Sequence, residues 1–229
     1  GSTTGFGNSF KYVKADEKGR GGLGTVVVSS CGNNRLDNDR SDSKRIQSER
    51  HTMAIAAHHN DGFIAYFSSP GSNVHISCPG KDITSTDRTG DVGYSTDADK
   101  LSIGTNYANG QGTSYSSPIC AGIVALMLEA RAQLGWRDVQ EILALTGRTG
   151  DLELELKQDF PINQAGQEKN GGGIKSNEDY GFGLADAFGA VRLAESWILS
   201  ASAPARTSAN DKEFSAKANP NAAIPDDGG

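Results

Sequence analysis

The sequence predicts an α/β fold with a mostly parallel sheet. Three observations lead there. Leu23 to Ser30 is a glycine-led, β-branched run of strand length. Thr52 to Ala57 and Asn73 to Ser77 are two more short apolar segments with the same character. After them come apolar stretches of helical length at Ser117 to Gln133, Trp136 to Thr146 and Ala185 to Leu199.

Taken in chain order, Asn8 to Lys18 is a weak helix candidate. Gly19, Gly21, Gly22 and Gly24 then turn the chain into the first strand, which delivers the polar residues Gly32-Asn33-Asn34 just past its carboxyl end. Asn33 to Arg45 reads as a polar loop, and the strands Thr52 to Ala57 and Asn73 to Ser77 follow. Asp87 to Asn109 is an irregular insertion rich in Gly, Asp and Ser. In the Ser117 to Gln133 helix, Ile119, Ile123, Val124, Leu126, Met127 and Leu128 cover most of the circumference, so this helix is expected to be interior, with Pro118 in its first turn. In Trp136 to Thr146, Val139, Ile142, Leu143 and Leu145 are expected to face inward. Gly166 to Asn177 is a glycine-rich surface loop, Ala185 to Leu199 a closing helix, and the Ala-, Ser-, Pro- and Asn-rich Ser200 to Gly229 a linker.

Chemistry concentrates where Gly112-Thr113-Ser114-Tyr115-Ser116-Ser117-Pro118 enters the long helix. The unpaired N–H groups and positive dipole end of a first helical turn favour negative charge, so a carbonyl oxygen turning anionic on attack by Ser114 would find donors there. Thr113 and Ser114 as mere helix caps are the plainer reading. Asn33, at the carboxyl end of a parallel strand where ligand and catalytic groups gather, is placed to offer its amide to the same oxyanion; an ordinary Asn-rich turn is the alternative.

In this order the segments ending in Gly32-Asn33, Ser77-Cys78-Pro79-Gly80, Gly112 to Gly122, Gly135-Trp136-Arg137-Asp138-Val139-Gln140 and Tyr180-Gly181-Phe182-Gly183-Leu184-Ala185-Asp186-Ala187 resemble the C-terminal part of a subtilisin-type (subtilase) catalytic domain, in its kexin-like branch. The resemblance spans Gly19 to Trp197. It implies a doubly wound, mostly parallel sheet of the subtilisin type lacking its N-terminal part, over residues 1–199, with 200–229 leading to a truncated P domain suggested by Ala222-Ala223-Ile224-Pro225. It also implies that Ser114 is the acylated nucleophile of a serine endopeptidase acting on polypeptides, and that Asn33 and the Ser114 N–H form the oxyanion hole. The family's Asp-Ser/Thr-Gly and His-Gly-Thr motifs do not occur in the sequence, so the chain is expected to be an inactive piece whose Asp and His lie upstream. A non-catalytic, subtilase-like binding module is the rival reading. An esterase elbow is disfavoured because Ser116 stands where it needs glycine.

The four histidines, His51, His58, His59 and His75, are expected to be structural or solvent-exposed, and His58 and His59 to bind no metal together, since neighbours on an extended chain point apart. Cys31, Cys78 and Cys120 are expected to be small buried apolar residues, with one disulfide among them as the alternative. Calcium is the expected cofactor. Asn34, Asp37, Asn38, Asp39 and Asp42 offer hard oxygen ligands, and the kexin-like resemblance puts Asp39 at a calcium position near the S1 pocket. Two departures accompany it: Ser69 stands where the partner glutamate is expected, and Lys44 near where the S1 aspartate is. Asp87, Asp91, Asp97 and Asp99 form a second candidate. The excess of acidic residues, with a formal net charge of -6, argues against nucleic acid, and no apolar run is long enough for a membrane span. A secreted or cell-surface protein is expected.

Overall fold

The computed structural model describes residues 19–86, 110–148 and 174–197. The expected Asn8 to Lys18 helix, the Asp87 to Asn109 insertion with its four aspartates, most of the Gly166 to Asn177 loop, and the Ser200 to Gly229 tail lie outside them.

Three strands, β1 (Val27–Ser30), β2 (Thr52–His58) and β3 (Val74–Pro79), form one parallel sheet in the order β1-β2-β3. Val27 pairs with Thr52 and Ser30 with Ile55, while Ala57 pairs with Cys78. β1 is shorter than the Leu23 to Ser30 expected. A 3-10 turn at Gly19–Gly22 and a φ of 76° at Gly24 hold the chain out of the extended region. The Arg20 guanidinium fastens that turn, donating to the carbonyls of Leu134 at 3.0 Å and Ala132 at 2.8 Å. β3 runs two residues past the expected Ser77, because Cys78 and Pro79 keep pairing with β2.

Helices α1 (Thr113–Ala130), α2 (Trp136–Thr146) and α3 (Ala187–Ser196) complete the described elements. Met53, Ile55, Ile76 and Cys78 of the sheet pack against Cys120, Ile123, Val124 and Met127 of α1, Val139, Ile142 and Leu143 of α2, and the small Ala190 and Ala194 of α3. Ala54, Ala56 and Val74 form a second cluster with Ile64 and Tyr180, whose hydroxyl accepts the Ile64 N–H at 2.7 Å. These clusters hold the carboxyl edge of the sheet against the start of α1.

α1 ends at Ala130, three residues short of the expected Gln133, and departs from expectation in two further ways. It begins at Thr113 rather than Ser117, so Pro118 lies past the first turn, and its missing N–H leaves the Ser114 carbonyl without the usual helical donor. Nor is the helix interior all round. Ser114, Pro118, Ala121, Gly122, Ala125 and Leu126 make one exposed stripe, with Leu126 51% exposed. A 3.6-residue period lines these positions up with Ser114, so the serine and an uncovered apolar surface share a face.

α2 matches its expected bounds, but Leu145 is 48% exposed because it lies two residues, about 200°, round the helix from Leu143. Buried Asp138 fixes this helix at both ends of its packing: one carboxylate oxygen accepts the Gly135 N–H at 2.8 Å and the other the Trp197 indole N–H at 3.1 Å. α3 starts at Ala187 because the Asp186 side chain caps it, accepting the Gly189 N–H at 2.9 Å.

All three cysteines are free and buried. Burial pushes the Cys31 thiol up to about 11, and a hydrogen bond with the neighbouring Cys120, together with burial, raises Cys78. No helix among the described residues is long and apolar enough to cross a membrane. Since all three thiols are buried away from reagent, they are expected to resist a disulfide reagent in the native protein and to react together after denaturation. Rapid native labelling of Cys31 or Cys78 would contradict this packing.

Candidate active site

The carboxyl edge of the sheet and the start of α1 are joined by main-chain bonds. Gly80, which follows β3, donates to the His58 carbonyl at 2.9 Å and accepts the Gly112 N–H at 2.8 Å. A β-carbon on Gly80 would collide with Ala57 and the Ser116 hydroxyl, so only glycine lets the two segments approach so closely. Gly112 has φ 143°, and a β-carbon there would sit 3.4 Å from Asn33 Nδ2.

Asn33 is clasped to the first residue of α1. Its Oδ1 accepts both the Thr113 N–H at 2.9 Å and the Thr113 hydroxyl at 2.8 Å, and that hydroxyl accepts the Gly32 N–H at 3.3 Å. Gly112 itself supplies no side-chain cap, so Asn33 caps the helix from across the site. Two donors on one atom assign it as the carbonyl oxygen and leave Nδ2 as the outward-facing donor. Asn33 and Ser114 are both exposed. The Ser114 N–H lies in the first helical turn, where the geometry provides no intrahelical acceptor. The clasp thus holds an exposed side-chain amide at the start of the helix that carries Ser114. Sequence reasoning read Thr113 only as a cap; its role as the clasp was missed because the partner, Asn33, is distant in the chain.

None of the histidines is hydrogen-bonded to Ser114 among the described residues. Ser77 Oγ gives its proton to the Gly183 carbonyl at 3.1 Å, so His58 Nδ1, 3.1 Å away, is the donor in that pair. His75 Nε2 donates to the Gln140 carbonyl at 3.0 Å. Burial lowers both pKa values to about 4, helped at His58 by His59, and burial also lowers His59. His51 packs on the Trp136 ring at 4.8 Å, at the amino end of the seven-residue β2. That is the opposite edge of the sheet from Asn33, a strand length of ~20 Å.

The loop after Asn33 contains two 3-10 turns, Arg35–Asp37 and Ser41–Ser43, instead of irregular coil. Arg35 pairs with buried Asp179 and donates through Nε to the Ser68 carbonyl at 2.8 Å. Arg40 bridges Asp42 and Glu178, 2.7 Å from each, and holds the Asp42 carboxyl down at about 2. Asp37 is exposed. Asp39 faces the Lys44 ammonium and accepts the Ser69 hydroxyl at 3.1 Å; Lys44 is the first cause of its lowered pKa. Among the described residues no three His, Cys, Asp or Glu side chains gather as a metal site. One carboxylate already paired with an ammonium is a poor fit for calcium, which prefers six or more oxygens.

A helix-start serine and a strand-end carboxamide thus lie at the carboxyl edge of a parallel sheet. The chain matches the subtilase family over residues 1–183 and belongs to it. Among its relatives, human proprotein convertase subtilisin/kexin type 6 is 29% identical over 86% of this chain and human furin 29% over 81%. The chain spans 18% and 21% of their lengths. Among solved structures, Aeromonas sobria serine protease in complex with its chaperone has a TM-score of 0.67 at 21% identity, covering 85% of this chain and 40% of that one. Fervidolysin from Fervidobacterium pennivorans, a keratinolytic enzyme related to subtilisin, has a TM-score of 0.50 at 24% identity over 73% of this chain and 22% of its own. The fold is a partial subtilisin-type α/β domain.

Two outcomes are expected. Asn33→Ala removes the cap and orphans two Thr113 donors, so it should lower stability by about 1–2 kcal/mol in chemical denaturation; an unchanged midpoint would refute the clasp. The second concerns pH. His58 and His75 bind fewer protons folded than unfolded between about 4 and the ordinary 6.5. Stability should therefore fall as pH drops through that window and level off below it. His75→Gln, which keeps a donor for Gln140, should flatten that slope.

Proposed function

We propose that this chain is the nucleophile-bearing part of a serine endopeptidase of the kexin-like branch. Ser114 attacks a peptide carbonyl and forms an ester with the acyl half of the substrate as the C–N bond breaks; water then releases it. The oxyanion of each tetrahedral intermediate is held by Asn33 Nδ2 and the Ser114 N–H. The clasp that holds Asn33 Oδ1 on Thr113 is the observation that carries this reading.

The base and its orienting carboxylate come from a further part of the same protein, upstream of this chain. Two features favour that arrangement. His58 and His75 are hydrogen-bonded elsewhere, His51 lies at the opposite edge of the sheet, and among the described residues His59 makes no hydrogen bond to Ser114. The exposed apolar stripe of α1 runs straight from Ser114, where a covering segment would bring a histidine to the hydroxyl. By itself the chain would be close to inert. A polypeptide substrate, a secreted or cell-surface location and a following P domain belong to the same reading, as do relatives named as proprotein convertases.

The absence of both Asp-Ser/Thr-Gly and His-Gly-Thr from the sequence favours a second reading, a pseudoprotease that binds peptides without cleaving them. A fluorophosphonate separates the two, because it needs an activated serine. The whole protein is expected to be labelled at Ser114 and Ser114→Ala to be silent; equal labelling of Ser114→Ala would overturn the proposal, and no labelling of either would favour the binding module. Asn33→Asp keeps an acceptor for Thr113 but removes the donor. Losing one such donor from subtilisin itself costs about 10²–10³ in kcat, and a loss of that order, carried over from that relative rather than calculated from this geometry, is expected with KM little changed.

A further inference from the structure

The turn Cys31-Gly32-Asn33 rests on a small polar cluster that the proposed chemistry does not use. The Lys44 ammonium bonds the Asp39 carboxylate and lies 3.4 Å from the Cys31 carbonyl oxygen. Ser69 donates its hydroxyl to Asp39 at 3.1 Å and accepts the Asn34 N–H at 3.2 Å. Its own N–H reaches the Gly32 carbonyl at 2.9 Å. A β-carbon on Gly32 would run into the ammonium and lie 2.9 Å from Ser69 Oγ and 3.3 Å from Asp39 Oδ2. The cation therefore sits directly beneath the backbone that aims Asn33.

Carboxylate, hydroxyl and main-chain carbonyl are hard oxygen donors of the kind that hold a calcium ion. Here they surround a compact ammonium, which carries one charge against one carboxylate and leaves the cluster neutral. A divalent ion in the same place would need the Lys44 side chain expelled and a second carboxylate brought in, yet the expected position for that carboxylate holds Ser69. The neighbouring acids, Asp42 and Asp179, are taken up by Arg40 and Arg35.

We infer that Lys44 is the resident cation of this cluster: its tethered ammonium braces the turn that carries Asn33 and makes the site calcium-independent, where the kexin-like resemblance leads one to expect a metal. Lys44 is thus a positioning residue. The bracing of Asn33 for an oxyanion rests on the proposed peptidase function; the exclusion of calcium does not.

Calcium titration of the whole protein by calorimetry, read alongside its melting temperature, tests both parts. Asp39→Asn is expected to leave the number of bound calcium ions unchanged. Lys44→Met is expected to lower the melting temperature and to slow Ser114 acylation about tenfold or more at unchanged KM, with Lys44→Arg restoring most of the rate. The double variant Lys44→Met/Ser69→Glu places two carboxylates around the vacated position, so it is expected to bind one calcium ion more than the parent and to regain stability when calcium is added. That gain keeps the test decisive even where Lys44→Met alone does not fold. Loss of a calcium ion in Asp39→Asn, or a double variant that binds no additional calcium, would overturn the inference. Failure of acylation in every form, parent included, with the calcium results as expected, would count against the peptidase reading and leave the cation assignment standing.

Discussion

Asn33 and Thr113 lie eighty residues apart in sequence, and two hydrogen bonds between them join the end of β1 to the start of the helix that carries Ser114. A carboxamide has one acceptor atom and one donor atom. When the acceptor is saturated by a helix terminus, the amide nitrogen is the donor left for a ligand. The same contact satisfies a main-chain N–H that would otherwise be orphaned at the start of α1. Stability and orientation are therefore served by one interaction, and the hydroxyl of Thr113 relays it to the backbone at Gly32.

The rest of the fold keeps the two ends of that contact in register. Parallel pairing brings the carboxyl ends of β1, β2 and β3 to one edge, and Gly80 passes the position of β3 on to Gly112 through main-chain bonds. Beneath α1, the buried side chains of β2 and β3 fix the helix against the sheet. On the far side of Asn33, the loop is pinned by Arg35 to Asp179 and by Arg40 to Glu178, so the segment around Tyr180 supports the turn from below. Lys44 and Asp39 complete the support immediately under Gly32. The Arg40 and Lys44 pairs are partly exposed and individually weak in energy, whereas the Arg35–Asp179 pair is buried; their shared effect here is geometric.

Much of this was legible in the sequence, for reasons that differ from residue to residue. The strands were readable because parallel strands buried on both faces are continuous apolar runs, and α2 because Val139, Ile142 and Leu143 recur at helical spacing. Asn33 and Ser114 stood out because each sits at the end of such an element. What escaped was long-range. The early start of α1 depends on a cap supplied by Asn33, a residue that no local pattern links to Thr113. The exposed stripe of α1 escaped because a helix apolar all round reads as interior whether or not something covers it. Lys44 read as a departure from an expected motif, and only the folded loop reveals that its ammonium lies among the oxygens.

The central claim is that an oxygen bearing negative charge beside Ser114 is bound jointly by Asn33 Nδ2 and the Ser114 N–H. A crystal structure of the whole protein phosphonylated at Ser114 measures this directly, because the phosphonyl oxygen stands in for the oxyanion. The account predicts that oxygen within hydrogen-bonding distance, about 2.7–3.1 Å, of both nitrogens, with Asn33 Oδ1 still on Thr113. A phosphonyl oxygen turned away from both nitrogens, or an Asn33 amide released from Thr113, would contradict it.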